Sequence, residues 1–314
     1  MLGRGRACFE GWYFKLVAAG GAQSYAIIPG VFLGDDAHAF VQILDGRAGT
    51  SAYHRFPLTE FHAARDDFEI RIGRSRFDRS GIRLAIDDGE TSAGQAVHGA
   101  VQFSSWRGWP VTWASPGVMG PYSFVPFMEC NHGILSMDHA LSGALEVDGT
   151  KTSFDGGRGY IEKDWGRAFP RGYVWAQSNH FGEEGVSVTA SVARIPWLTG
   201  SFRGHLIGLL LRGKLHRFTT YTGSQIEHIE VTDHAYRVCV RDRAYRLEIS
   251  ATKTDGAILH APYEKQMLER VAETMSSSVA LRFARRDGDE TLYQGSGRHG
   301  CLEVQGDLAA VLQD

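Results

Sequence analysis

Residues 158–181 read RGYIEKDWGRAFPRGYVWAQSNHF, and the two halves of this stretch decide the fold class. Successive side chains of an extended chain point to opposite faces, so Tyr160, Glu162 and Asp164 share one face while Ile161, Lys163 and Trp165 share the other. Beyond the break at 166–170, Tyr173, Trp175, Gln177 and Asn179 form one set and Val174, Ala176, Ser178 and His180 the other. A period of two on both sides of a Pro-containing turn predicts two strands. The set 173–179 alternates aromatic rings with amides, which makes a poor solvent face and a poor pure core. It suits the wall of a cavity that holds an apolar ligand by a few polar handles.

The same rhythm runs outward in both directions. GWYFKLV (11–17), SYAIIPGVF (24–32), HAFVQILDG (38–46), FEIRIG (68–73), GIRLAID (81–87) and GAVQFSSW (99–106) precede it; GVSVTASVARI (185–195), EHIEVTDHAYRVCV (227–240), YRLEISATK (245–253) and SSVALRFARRDG (277–288) follow. Asp-Gly pairs starting at 45, 148, 255 and 287 mark hairpin turns. Only 261–276 carries helix-like spacing, with Met267, Leu268, Val271 and Met275 on one side. One short helix among a dozen or more strands predicts an all-β protein of antiparallel barrels or sandwiches. GWYFKLV followed by YAIIPG is echoed 161 residues later by GYVWAQS followed by ASVARIPW. An offset of about half the chain is the mark of two similar units in tandem, with boundaries placed at 1–155 and 156–314.

Composition narrows the function classes. The 314 residues are 43% hydrophobic and 22% charged, as in globular proteins, and a net charge of −3 offers no global positive field for nucleic acid. The cluster Arg282, Arg285 and Arg286 reads as a charged hairpin edge. Cys8, Cys130, Cys239 and Cys301 form no CxxC pair and suggest a reducing compartment. No apolar leader opens the sequence, and its longest apolar run, LIGLLL (206–211), is far too short to span a bilayer. The reading is a cytoplasmic protein.

Glu162 and Asp164, at i and i+2, lie roughly 7 Å apart along a strand. On a desolvated face, burial and like charge hold a proton on one of them, and a neutral carboxylic acid is a proton donor at neutral pH. The stretch also reads as a strand end with surface ion pairs and a Trp plug, and Lys163, on the other face, suits an ion-pair partner. FEGWYFK (9–15) adds Glu10, which needs a partner or a proton if inside, and Trp12, which after a Gly suits a barrel base and also joins the candidate ligand contacts. SPGVMGPYSFVPFMECNHG (115–133) adds Met128 as apolar wall material, with Glu129 and Asn131 on one face. Three readings compete for His132, Asp138 and His139, as metal ligands, an acid/base group or hydrogen-bonded strand-end residues; without a second spaced set the bland reading outweighs the metal, and none is expected. No GxSxG or P-loop occurs, which leaves cofactor-free acid/base work.

FEGWYFK, SPGVMGPYSFVPFMECNHG, GRGYIEKDWGRAFPRGYVWAQSNHF and GCLEVQGDL (300–308) resemble the tocopherol cyclase family. The resemblance runs from about residue 9 to about residue 308 and implies kinship with lipocalin-like double-barrel proteins, including the AttH and carotenoid hydratase families. It implies an isomerase that closes a chromanol ring on a prenylated quinol, or a related terpenoid, by protonating an alkene and capturing the cation with a phenol oxygen. Glu162 and Asp164 are the first choices for the acid, with Glu10 and Glu129 behind them. Tyr160, Tyr173 and Trp175 would stabilise the cation; Gln177 and Asn179 would hold the quinol hydroxyls; Trp12, Asn131 and Met128 complete the expected contacts. The expected partner is a lipophilic small molecule, with transient contact at a membrane surface, no nucleic acid and no cofactor; the oligomeric state stays open. A related alkene hydratase or pericyclase would use the same pocket, and a non-catalytic carrier would keep the pocket and dispense with the acid.

Overall fold

A computed structural model describes residues 7–91, 93–287 and 290–313. The stretch 1–6 and the glycine of the expected Asp287–Gly288 turn lie outside the described residues.

Two large antiparallel sheets carry the chain. The first runs in the order Thr50–Phe56, His38–Asp45, Ser24–Leu33, Cys8–Val17, Gly157–Gly166, Cys130–Val147, Val97–Arg107, Gly81–Ile86, Ser75–Asp78, Glu69–Ile72, Phe61–Ala63, with Thr150–Ser153 paired to Cys130–Val147. The second runs Lys214–Thr219, Gly200–Leu211, Ser187–Trp197, Gly172–Ser178, Thr291–Gly306, Gln266–Arg285, Tyr245–Thr252, Ala235–Arg241, Gln225–Val231, with Ala257–Tyr263 paired to Gln266–Arg285. Each sheet opens with a four-strand meander whose first strand pairs with the last strand, in chain order, of its own sheet. Cys8–Val17 and Gly172–Ser178, the two segments related by the sequence echo, occupy the same place in the two orders. The fold is therefore the expected all-β tandem of lipocalin-like sheets.

By compactness the chain forms two units. One comprises the chain up to Gly108, Glu129–Phe169 and Ala257–Arg270; the other comprises Trp109–Met128, Pro170–Gly256 and the chain from Val271 onward. Each has its own apolar core. In the first, Trp12, Phe14, Leu16 and Ile161 meet Phe56, Ile70, Ile72 and Phe77, residues from both ends of the sheet order, so the sheet curls around its interior. In the second, Val174, Ala176, Val188 and Leu302 meet Phe218, Tyr236, Val238 and Phe283. Fully burying each such side chain is worth about 1.5–3 kcal/mol.

The helix expected over 261–276 is not there. The chain forms Ala257–Tyr263, turns at Glu264 with φ of 51° and returns as Gln266–Arg285. Val271, Glu273, Met275, Ser277, Val279 and Leu281 are buried while Ala272, Ser276, Ser278 and Ala280 are exposed, a period of two. The helical reading counted Met267 and Leu268 as core, whereas the buried face includes the polar Glu273 and Ser277. Among the described residues the one α-helix is Leu308–Leu312, with the Asp307 side chain accepting from the Ala310 amide at its start.

Candidate functional site

Register pairs His132 with Asp164 and Ile134 with Glu162 on one side of Gly157–Gly166, and Tyr13 with Glu162 and Lys15 with Tyr160 on the other. Pairing preserves the face, so Tyr13, Lys15, His132, Tyr160, Glu162 and Asp164 share the side opposite the first unit's core. This outer face is buried nonetheless: Lys15 and Tyr160 are 0% exposed and Glu162 5%. Tyr160 donates its phenolic hydrogen bond to Glu162 Oε2 at 2.6 Å. His132 Nδ1 lies 2.9 Å from Asp164 Oδ1, and its Nε2 lies 3.8 Å from Glu162 Oε2. An ionised Asp164 can only accept, which places the imidazole hydrogen on Nδ1 and turns the basic Nε2 toward Glu162. One phenol, two carboxyls and an imidazole thus gather on one face as two hydrogen-bonded pairs, Tyr160–Glu162 and His132–Asp164, 3.8 Å apart.

His132, Glu162 and Asp164 also bring one nitrogen and two carboxylate oxygens within 4.8 Å of one another, three donors that would suit a cation. In this arrangement the same atoms engage each other and Tyr160. The set read in sequence as His132, Asp138 and His139 is not brought together. Asp138 pairs with Arg158. His139 is buried in the first unit, its ring 5.4 Å from Trp106 and 4.6 Å from Phe103, with Nδ1 3.0 Å from Ser136 Oγ. Burial, with the Arg158 charge nearby, pushes its pKa down to about 3.

The remaining candidates divide by face. Glu10, Trp12 and Phe14 point to the core side. Trp12 is 4% exposed within that core, and Glu10 Oε1 lies 2.5 Å from Lys163 Nζ. The Lys163 ammonium sits 4.8 Å from the Trp12 ring centroid and 4.9 Å from that of Trp165, closing the core's end by ion pair and cation–π contact. Asn131 Nδ2 donates to the Trp165 carbonyl at 3.4 Å. The Glu129 carbonyl accepts from the Arg167 amide at 2.8 Å. Burial, with Asp164 and Glu129 nearby, raises the Cys130 thiol pKa well above its usual range.

In the second unit Tyr173, Trp175 and Gln177 are buried on the side opposite that unit's core, as the alternation predicts. Asn179 follows the strand, its Oδ1 3.0 Å from His180 Nδ1. Tyr173 donates to Glu303 Oε2 at 2.6 Å, a second Tyr–Glu pair in which the Tyr is buried and the Glu half-buried. Glu303 faces Trp175 in register on one side and Glu273, which is fully buried, on the other. Lys15, Glu273 and Glu303 are site candidates that the sequence reading missed. Glu303 carried a signal, since it sits between Leu302 and Val304 in an alternating strand. Glu273 lay hidden in the segment read as a helix. Met128 lines a cavity of about 50 Å³ with Met119, Tyr122, Phe202 and His205.

Two lipocalin-like sheets, each with an apolar core on one side and a hydrogen-bonded Tyr–Glu pair on the other, define an all-β protein of the double-barrel kind. The chain belongs to the tocopherol cyclase-like family, whose pattern matches residues 86–306. It is 28% identical over 224 residues to a protein of rice, Oryza sativa subsp. japonica, described as a probable tocopherol cyclase, chloroplastic, covering 66% of this chain and 47% of that one. It is 26% identical over 192 residues to the chloroplastic tocopherol cyclase of Zea mays, covering 59% and 39%. The matches thus span less than half the length of these relatives. Among solved structures, kievitone hydratase from Nectria haematococca aligns with a TM-score of 0.52 at 10% identity over 96% of this chain and 90% of that one. CghA with Sch210972 aligns with a TM-score of 0.55 at 10% identity, covering 96% and 89%. An AttH protein from Nitrosomonas europaea aligns with a TM-score of 0.50 at 14% identity, covering 96% and 92%. These likenesses concern the fold.

Proposed function

We propose that the protein is an enzyme that cyclises a lipophilic prenylated quinol, with Glu162 as the acid. The observation that carries this reading is Glu162 itself, a carboxyl 5% exposed, with one oxygen held by the fully buried Tyr160 at 2.6 Å, in a chain of the tocopherol cyclase-like family. With Oε2 fixed, the other oxygen carries the transferable proton. The step balances: Glu162 gives its proton to the less substituted alkene carbon, the quinol oxygen bonds to the tertiary cation, and the hydroxyl proton released restores the acid. His132, whose Nε2 lies 3.8 Å from Glu162 Oε2, must close to hydrogen-bond reach to take up that proton and return it to the carboxyl, and Asp164, hydrogen-bonded to Nδ1, steadies the imidazole while it is charged. A developing cation needs electron-rich faces and exclusion of water. The buried Tyr13 and Tyr160, on the same sheet as Glu162, supply such faces.

The test is incubation of the purified protein with a phytyl-substituted dimethylbenzoquinol in deuterated buffer, followed by mass spectrometry. An isomeric product with one non-exchangeable deuterium, absent with Glu162→Gln, is the expected result. A product that has gained the mass of water would assign the pocket to an alkene hydratase. Tight binding without product, unchanged by Glu162→Gln, would make the protein a carrier.

A further inference from the structure

Among the described residues, five of the nine large hydrophobic side chains that stand exposed gather in two segments of the second unit: Val111 at 72%, Trp113 at 92%, Phe124 at 63%, Phe127 at 43% and Leu198 at 81%. The segment from Trp109 to Met128 contains no Asp, Glu, Lys, Arg or His, and neither does 195–202. An extended charge-free surface bearing fully exposed aromatic rings is uncommon on a protein that meets only water.

These side chains are held out by a rigid base. Trp109 is 4% exposed, and its ring lies so close over Gly208 that a Cβ there would sit 2.4 Å from Cζ3. Gly120, at φ of 55°, lies against the Tyr221 ring, where a Cβ would come within 2.5 Å. Tyr122 packs 5.9 Å from Trp197, and Phe127 lies 5.2 Å from Trp197 on its other flank. Between these anchors the hairpin Val111–Thr112/Ser115–Pro116 carries Trp113 at its tip. Leu198 occupies a second tip at φ of 48°, the left-handed region that a branched apolar residue disfavours. Neither its conformation nor its exposure helps the fold.

We propose that this surface docks on a lipid bilayer. Trp and Phe favour the boundary between headgroups and acyl chains, Leu and Val the apolar side of it. No carboxylate within the two segments would be repelled by anionic headgroups, and Arg194, which borders the second segment and whose Nε donates to Ser201 Oγ at 2.8 Å, supplies a cation at its edge. Behind the surface, Met119, Tyr122, Met128 and Phe202 line a small cavity with Ser191 and Ala193. Those two residues are the register partners of Trp175 and Tyr173. A molecule leaving the bilayer through this surface therefore meets an apolar wall that continues onto the aromatic and amide face. That last connection rests on the reading of a lipophilic substrate; the docking surface does not.

The experiment is flotation with vesicles of phosphatidylcholine and of phosphatidylcholine with phosphatidylglycerol, comparing the unaltered chain with Trp113→Ser/Phe124→Ser/Leu198→Ser, whose fold is checked by circular dichroism and thermal unfolding. The unaltered chain is expected to float with both vesicles, more strongly with the anionic ones. The triple variant, with its melting unchanged, is expected to lose at least about tenfold in partitioning. Absence of flotation by the unaltered chain overturns the proposal, as does equal flotation of the variant. A dimer in solution that the variant converts to monomer, without vesicle binding, would give the surface to a second copy and overturn it too. Flotation without quinol turnover leaves this proposal standing and sinks the proposed reaction, so the two fail separately.

Discussion

Lowering the pH from 7.5 to 5.0 should destabilise the protein through two buried imidazoles. His139 in the first unit is 0% exposed and His205 in the second 6% exposed, and burial pushes their pKa values down to about 3 and about 4, with Arg158 and Arg203 adding to the effect. The unfolded chain takes up these protons near the ordinary histidine value of about 6.5, and the folded chain does not. The stability they contribute is complete above that value and drains away as the pH falls toward 3 for His139 and 4 for His205. At pH 5.0 an unfolded imidazole is favoured by RT ln(1 + 10^1.5), about 2 kcal/mol for His139 and nearly the same for His205. Together they remove about 4 kcal/mol, a large part of the about 5–15 kcal/mol typical of a folded domain. Urea unfolding followed by tryptophan fluorescence at the two pH values measures the loss. His139→Leu should be less stable at pH 7.5, because its ring no longer stacks on Trp106, yet should show a pH dependence shallower by about 2 kcal/mol. If the variant and the unaltered protein lose stability equally on acidification, the buried neutral imidazole is not the cause and the reasoning fails.

Glu162→Gln should lower cyclisation by about 100-fold or more with little change in KM, as expected of a required acid, whereas Glu10→Gln, which breaks only the core-side pair with Lys163, should leave turnover within about twofold and cost about 0–1 kcal/mol of stability; product formation and urea midpoints check both. Tyr160→Phe should retain the ring but leave buried Glu162 Oε2 without its donor, costing about 1–3 kcal/mol and shifting the pH profile of turnover. Gly159→Ala would place a Cβ 2.3 Å from His139 Nε2, so it should destabilise the first unit by about 1–3 kcal/mol, and His139→Ala in the same chain should relieve part of the loss in thermal unfolding.

Much of this arrangement was legible because a strand writes its faces into every second residue. Tyr160, Glu162 and Asp164 on one side and Tyr173, Trp175 and Gln177 on another follow from spacing alone. Their partners do not. His132 comes to Asp164 through the register of Cys130–Val147 against Gly157–Gly166, and that strand shifts register between Ile134 and Ser136 and again between Ser136 and His139. These bulges turn His139 into the core beside Gly159, away from His132. No local pattern announces such a shift. Trp12 is a different case: it shares its face with Phe14 and Leu16, so the alternation already assigned it to the core, and grouping it with ligand contacts set an expected role above the spacing. Val271 to Leu281 were legible as a strand only by accepting Glu273 and Ser277 as buried, which composition alone argues against.

The burial of polar residues on the outer faces connects fold to function. A curled sheet has one concave side, and here Trp12, Phe14, Phe56, Phe77, Phe103 and their neighbours fill it in the first unit. An interior packed in this way holds no ligand. The alternation that fills the core also sends every intervening side chain outward, where a solitary sheet would meet water and select charged, mobile residues. Cys8–Val17, Gly157–Gly166 and Gly172–Ser178 instead carry Tyr13, Lys15, Tyr160, Glu162, Tyr173, Trp175 and Gln177 outward, all buried. The edge-side strands Ala235–Arg241 and Tyr245–Thr252 show the ordinary alternative, an outer face of paired charges such as Arg237–Glu230 and Arg246–Glu227. Two kinds of outer face on one architecture, one solvated and one desolvated, place the buried carboxyls on the strands at the middle of each sheet order. There a carboxyl can be kept from water without being placed in the apolar core that holds the sheet together.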